Sequence, residues 1–213
     1  MVSMKVEALP ELFDCVAAIM AEKAEELCDM DAKMGDGDLG LTMRKGFGAL
    51  PQILRELDEA DPGKKLMKAG MKMASVVPST MGTLMSSGVM TGGKAITGAA
   101  EINAETYLAY LKGFADGIIK RGKCARGERT VLDAIAPAAD KLAEALAANP
   151  ALTLSEAGAA AVAGAEEGVE ATRTMEPKYG KAAVHKAAAV GVVDQGACAG
   201  LYMIMGYQRY FGA

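Results

Sequence analysis

An all-α fold, a barrel or bundle of about eight antiparallel helices, is what this sequence predicts, on three observations. Apolar residues recur with a period near 3.6, alternating runs of Val, Ile and Thr are nearly absent, and short breaks rich in Gly and Pro separate the periodic stretches. The first stretch puts Leu12, Phe13, Val16, Ile19, Met20 and Leu27 on one side, with Pro10 suited to a first turn, and predicts a helix ending near Asp29. Further helices are predicted at residues 40–57, 64–76, 83–98, 104–120, 130–147, 154–171 and 196–210, and no sheet. The breaks fall at the acidic glycine loop 35–40, Asp61-Pro62-Gly63, Pro78-Ser79, 98–103, 122–127, Asn149-Pro150 and 177–180. None reads as a domain linker, and stretches such as AGAAAVAGAEEGVE let helices approach closely, so residues 1–213 are expected to form one domain.

Composition narrows the function. The net charge is −4, Lys and Arg are scattered, and only 5% of residues are aromatic, so neither a nucleic-acid surface nor a base-stacking platform is expected. The four cysteines form no C-x-x-C pair, and His185 is the only histidine. That usage suits a reducing cytosol rather than disulfides or a zinc site, and His185, between lysines, reads as a surface residue. The opening MVSMKVEALPELF lacks the apolar core of a signal peptide, and no apolar run has the length of a membrane span, so a soluble cytoplasmic protein is expected. The 15 methionines, including Met67, Met71, Met73, Met81, Met85 and Met90, read as core packing.

The stretch MDAKMGDGDLG, residues 30–40, is the main chemical signal. Asp31, Asp36 and Asp38 repel one another unless a cation or several backbone amides neutralise them, and an all-oxygen set points to Mg²⁺ or Ca²⁺. The alternative is a solvated loop whose aspartates cap free amides. An EF-hand is a poor match, because its loop needs further oxygen ligands and a Glu at the twelfth position, where Thr42 stands. The following LGLTM begins a helix, so the amides of Gly40, Leu41 and Thr42 are placed to bind an anion beside those carboxylates.

Three later clusters have a similar character. PSTMGTLMSSG, residues 78–88, is a small-residue turn opening a helix; RGKCARGERTVLDAIAP, residues 121–137, puts Thr130 at a helix start with Asp133 three residues on, either a capping box or a site. Asp194-Gln195-Gly196-Ala197 precedes the last helix, where Asp194 is a cap or a second contact to a sugar or phosphate. There is neither a P-loop nor a dinucleotide fingerprint, so a nucleotide site would have to be built from helix-connecting loops.

Together these clusters resemble the nucleotide-binding L subunit of dihydroxyacetone kinases, whose pattern is an Asp followed by GDxDHG, a GG-x-SGPL turn, a GDKTM-x-D helix start and a late GRAS…GH-x-DPGA segment. DAKMGDGDLG, PSTMGTL, RGKCARGERTVLDA and YGKAAVHKAAAVGVVDQGA follow in that order over nearly the whole chain. The resemblance implies a barrel of eight antiparallel helices whose loops at one end hold ADP or ATP through two Mg²⁺ ions. It implies Asp31, Asp36 and Asp38 as metal ligands, and Leu39, Gly40, Leu41 and Thr42 as the first phosphate-binding turn. Thr80 and Met81 would form the second such turn, with Gly122, Thr130 and Val131 along the nucleoside. Lys181 would stand for the basic residue of GRAS, and Asp194, Gln195 and Gly196 would close the site.

The resemblance further implies that the ketose is held on a separate K subunit, docking at the loop end. The phosphoryl donor would be either exchangeable ATP or resident ADP rephosphorylated by a phosphotransferase-system protein, and a free-standing chain leans toward the second. A homodimer is left open. Against the pattern, Leu39 replaces His, Met81 replaces Ser, Thr83 replaces Pro, Arg129 replaces Lys and Gln195 replaces Pro. Such changes fit a subfamily serving another short ketose such as a tetrulose. The alternatives from other classes are a non-catalytic, nucleotide-responsive partner-binding module and a purely structural bundle.

Overall fold

The computed structural model describes residues 1–179, 183, 189 and 191–213, and among these the chain forms nine α-helices. They are α1 (Leu9–Glu22), α2 (Ala24–Ala32), α3 (Leu39–Glu56), α4 (Pro62–Val76), α5 (Thr80–Ala95), α6 (Ala104–Gly122), α7 (Leu132–Ala148), α8 (Leu154–Ala171) and α9 (Gln195–Phe211). Side-chain caps set most of the starts. Asp61 accepts from the Lys64 amide with Pro62 in the first turn, Ser79 from Gly82 and Asp194 from Ala197. Asn103 with Thr106, and Thr153 with Glu156, form reciprocal capping boxes.

The helix expected at 83–98 begins three residues earlier, at Thr80, and ends at Ala95, and at two places the elements themselves differ from expectation. The first helix is two, broken at Lys23 (φ −99°, ψ 3°), although backbone bonds from Lys23 to Ile19 and from Leu27 to Lys23 run through the break. The bend accompanies a close crossing: a Cβ on Gly40, at the start of α3, would lie 1.8 Å from the Ala24 carbonyl oxygen at the start of α2. The chain is also not free of strands, since β1 (Ser3–Met4) pairs antiparallel with β2 (Ile102–Asn103).

Contacts run from α1 to α3, then along successive helices to α9, and from α9 back to α1. The helices therefore close into a ring, with α1 and α2 together as one stave. The small-residue stretch of α8 does what its composition implied, for a Cβ on Gly168 would sit 2.0 Å from the Asp133 carbonyl oxygen of α7. The interior is aromatic, with Phe13, Phe47, Phe114, Tyr207 and Phe211 buried, and the Tyr110 and Tyr207 hydroxyls sharing a hydrogen bond of 3.1 Å. Met73 and Met85 lie in this core, whereas Met71 is exposed and lies outside it. Among the described residues no helix is long and apolar enough to cross a membrane.

Alternation of direction has one consequence for chemistry. Residues at the starts of α3, α5, α7 and α9 and at the ends of α2 and α6 line one cavity of about 1010 Å³. Four helix N-termini, each with a positive dipole end, thus meet at one place.

Candidate nucleotide and metal site

Asp31 ends α2 and is buried, while Asp36 and Asp38, in the loop leading to α3, are exposed. One carboxylate oxygen from each lies within 4.8 Å of the others. The loop is shaped by Asp31 itself: its Oδ2 accepts from the Gly37 amide at 2.9 Å and the Asp38 amide at 3.2 Å. Its Oδ1 accepts from Gln195 Nε2 at 3.3 Å. Three carboxylates held together and no nitrogen or sulfur ligand among them suit a hard cation such as Mg²⁺, so the residues present fit the ion that the motif implies.

At the start of α3 the free donors are not those expected from the sequence. The Thr42 amide is already committed to the Asp38 carbonyl at 3.0 Å. It is not free to bind an anion as expected, although Thr42 lines the cavity. The first-turn amides of Leu39, Gly40 and Leu41 precede the first intrahelical bond and are the ones left for a ligand. Leu39 lines the cavity, Gly40 is packed against α2, and the Leu41 side chain is exposed to solvent.

The other walls come from the later clusters. Thr80, Met81, Gly122, Thr130, Val131, Asp194, Gln195 and Gly196 all line the cavity, while Lys181 and His185 lie outside the described residues. A Cβ on Gly122 would touch Leu84 at 3.0 Å and the Cys124 thiol at 3.3 Å, so this stretch of wall is apolar. The Thr130–Asp133 pair is not a reciprocal capping box. Asp133, nearly fully buried, accepts from the amides of Gly127 at 2.6 Å and Thr130 at 2.8 Å, whereas the Thr130 hydroxyl accepts from Leu132 at 3.2 Å. The carboxylate thus fixes the turn that presents Thr130.

Sequence reasoning gave Arg129 no role beyond replacing the pattern's Lys, although the structure puts it in the cavity wall. It adopts a left-handed backbone (φ 59°), its side chain is wholly buried, and its Nε lies 3.6 Å from Asp194 Oδ1. The guanidinium also donates to the carbonyls of Ala189 and Val193. Tyr179, another lining residue without a local signal, donates its hydroxyl to the Lys123 carbonyl at 2.7 Å.

Burial pushes the Asp194 carboxyl up from the usual 3.8 to about 6, against the opposing pull of the Ala197 amide and Arg129. A carboxyl raised in this way binds its proton more tightly in the folded chain than in the unfolded one. Its contribution to stability is therefore full below about pH 4, is lost as pH rises through about 6, and is constant above. Urea unfolding from pH 4 to 7 is expected to show wild-type stability falling relative to Asp194→Asn by at most about 3 kcal/mol across that window. A difference that stays level or rises there would contradict the assignment.

The chain has relatives that bear on this site. The DAK2 domain profile matches residues 33–209. The "PEP-dependent dihydroxyacetone kinase, ADP-binding subunit DhaL" of Escherichia coli is 27% identical over 186 residues, covering 87% of this chain and 88% of that protein. The "D-erythrulose kinase" of Mycolicibacterium smegmatis is 30% identical over 187 residues, covering 87% of this chain but 32% of that protein. In three dimensions the chain is similar to the dihydroxyacetone kinase from C. freundii, solved in complex with AMP-PNP and Mg²⁺. The TM-score is 0.69 at 23% identity, covering 94% of this chain and 33% of that one. This last likeness concerns the fold, and the chain spans about a third of both larger kinases. Since the profile runs through the glycine loop, the α5 turn, the α7 turn and the start of α9, the chain belongs to the DAK2 domain family.

Proposed function

We propose that this chain is the nucleotide-binding L subunit of a short-ketose kinase of the dihydroxyacetone type, acting in the cytoplasm with a K subunit that holds the sugar. The observation that carries this reading is the meeting of three carboxylates with four helix N-termini in one cavity. Carboxylates alone attract cations and helix N-termini alone attract anions; side by side they suit a metal–phosphate group. Bound Mg²⁺, with two ions the number the resemblance implies, would neutralise charge on the phosphates of ADP or ATP.

In this reading Asp31, Asp36 and Asp38 hold the cations, and the amides of Leu39, Gly40 and Leu41 with the Thr42 hydroxyl donate to phosphate oxygens. Thr80 and Met81 present the first turn of α5 to the phosphates. Gly122, Thr130 and Val131 border the nucleoside, Lys181 adds a positive charge, and Asp194, Gln195 and Gly196 close the end. The protein's task is then to position and to stabilise charge, which is most of what phosphoryl transfer asks of it. The ketose would approach on the K subunit, docked over the open loop end.

Two donors are distinguishable. The E. coli relative is named as PEP-dependent and ADP-binding, which favours resident ADP rephosphorylated by a phosphotransferase-system protein; the erythrulose kinase favours a tetrulose as substrate. Calorimetry with ADP and ATP, with and without Mg²⁺, tests the nucleotide site, and failure of both to bind in the presence of Mg²⁺ would end the kinase reading. Reconstitution with a K subunit, comparing ATP with a phosphohistidine protein on dihydroxyacetone and erythrulose, identifies donor and sugar. Binding without turnover in any combination would point instead to a nucleotide-responsive partner-binding module.

A further inference from the structure

We propose that Gln195 is a positioning residue for the cation site, holding the Asp31 carboxylate from the start of α9. This rests on the metal-nucleotide reading above and adds to it a residue that touches a metal ligand rather than the metal. Gln195 is the first residue of α9, directly after its cap Asp194. Proline is the residue that best suits such a position, since the amide there has no intrahelical acceptor. The chain has glutamine instead, and its side chain reaches a carboxylate 164 residues away in sequence, with Nε2 donating to Asp31 Oδ1 at 3.3 Å.

The other end of the same amide supports a role beyond helix initiation. Gln195 Oε1 is sealed from solvent and has no hydrogen-bond partner. A buried carbonyl left unpaired is unfavourable, and turning the amide over would set Oε1 against the Asp31 oxygen, oxygen against oxygen. The orientation that leaves Oε1 unpaired is therefore the one that serves Asp31. With Gly37 and Asp38 amides on Oδ2 and Gln195 on Oδ1, Asp31 is held through both oxygens, and Oδ1, which accepts one bond, keeps a lone pair for a cation. Residues that orient a ligating carboxylate in this way typically change metal affinity by about 10- to 100-fold when removed. The contact also joins α2 to the Asp194–Gly196 wall, so the metal loop and the last wall of the cavity are held in register.

The test uses Gln195→Leu, which keeps bulk without the donor, and Gln195→Pro, which keeps and even favours the helix start. Mn²⁺ serves as the probe, its binding read by electron paramagnetic resonance with and without ADP, alongside thermal melting. Both variants are expected to fold with melting temperatures near wild type and to bind Mn²⁺ about 10- to 100-fold more weakly. A helix-starting role alone would leave Gln195→Pro with wild-type Mn²⁺ affinity. Wild-type Mn²⁺ affinity in both variants, with wild type binding Mn²⁺ and ADP, would overturn this role of Gln195 while leaving the nucleotide site intact. A wild-type protein that binds no Mn²⁺ even with ADP would overturn both.

Discussion

Asp38→Ala is expected to weaken Mg²⁺-dependent ADP binding by more than about 100-fold while leaving the melting temperature nearly unchanged. The size follows from charge and ligand count. Groups that only orient a ligand are worth about 10- to 100-fold, and Asp38 is placed to be a ligand itself. The small effect on folding follows from what its side chain does not do: Asp38 occupies the cap position of α3 but makes no side-chain cap bond, and it is exposed. Only its charge beside the helix dipole is lost, less than about 1 kcal/mol. Asp31→Ala should behave differently, losing metal and stability together, because Asp31 holds the Gly37 and Asp38 amides. Titration calorimetry and thermal melts on both variants separate the cases. Wild-type Mg²⁺·ADP affinity in Asp38→Ala would remove Asp38 from the cation site.

The largest effect on stability is expected at Arg129. Arg129→Met keeps most of the apolar bulk but leaves Asp194 buried without its cation, and removing one partner of a buried pair costs about 3–5 kcal/mol. For a chain of this size that is a fall of roughly 6–20 °C in melting temperature. The penalty is expected to shrink near pH 5 relative to pH 7.5. Without Arg129 the Asp194 carboxyl is pushed further up, so at the lower pH it is neutral and no longer needs a counter-charge. A variant that melts within about a degree of wild type at pH 7.5 would show that the guanidinium is not the partner on which Asp194 depends.

The two predictions differ in how far they were readable beforehand. Asp31, Asp36 and Asp38 lie within eight positions of one another, so their mutual repulsion is visible in the chain itself, whatever the fold. The starts of α6 and α8 were equally visible, because a cap and the amide it accepts from are three residues apart. Arg129 gave no such signal. Its partners, Asp194 and the carbonyls of Ala189 and Val193, are brought to it only when α7 and α9 pack side by side. Thr42 was misread for a related reason: periodicity places a helix start to within a residue or so, and a shift of one residue decides which amide is free. The break at Lys23 had no local cause, since no Gly or Pro stands there; it accompanies the close passage of Gly40 over Ala24.

By itself, then, the sequence determined the helical class, the breaks between helices, the acidic loop and the small residues that let α7 and α8 approach, since each rests on interactions spanning a few residues. The tertiary structure alone decided that four helix starts share one cavity, that Arg129 neutralises Asp194, and that Gln195 reaches Asp31. Those contacts join residues distant in the chain. Their geometry is set by ring closure, through the packing of every helix between, and no local pattern encodes it.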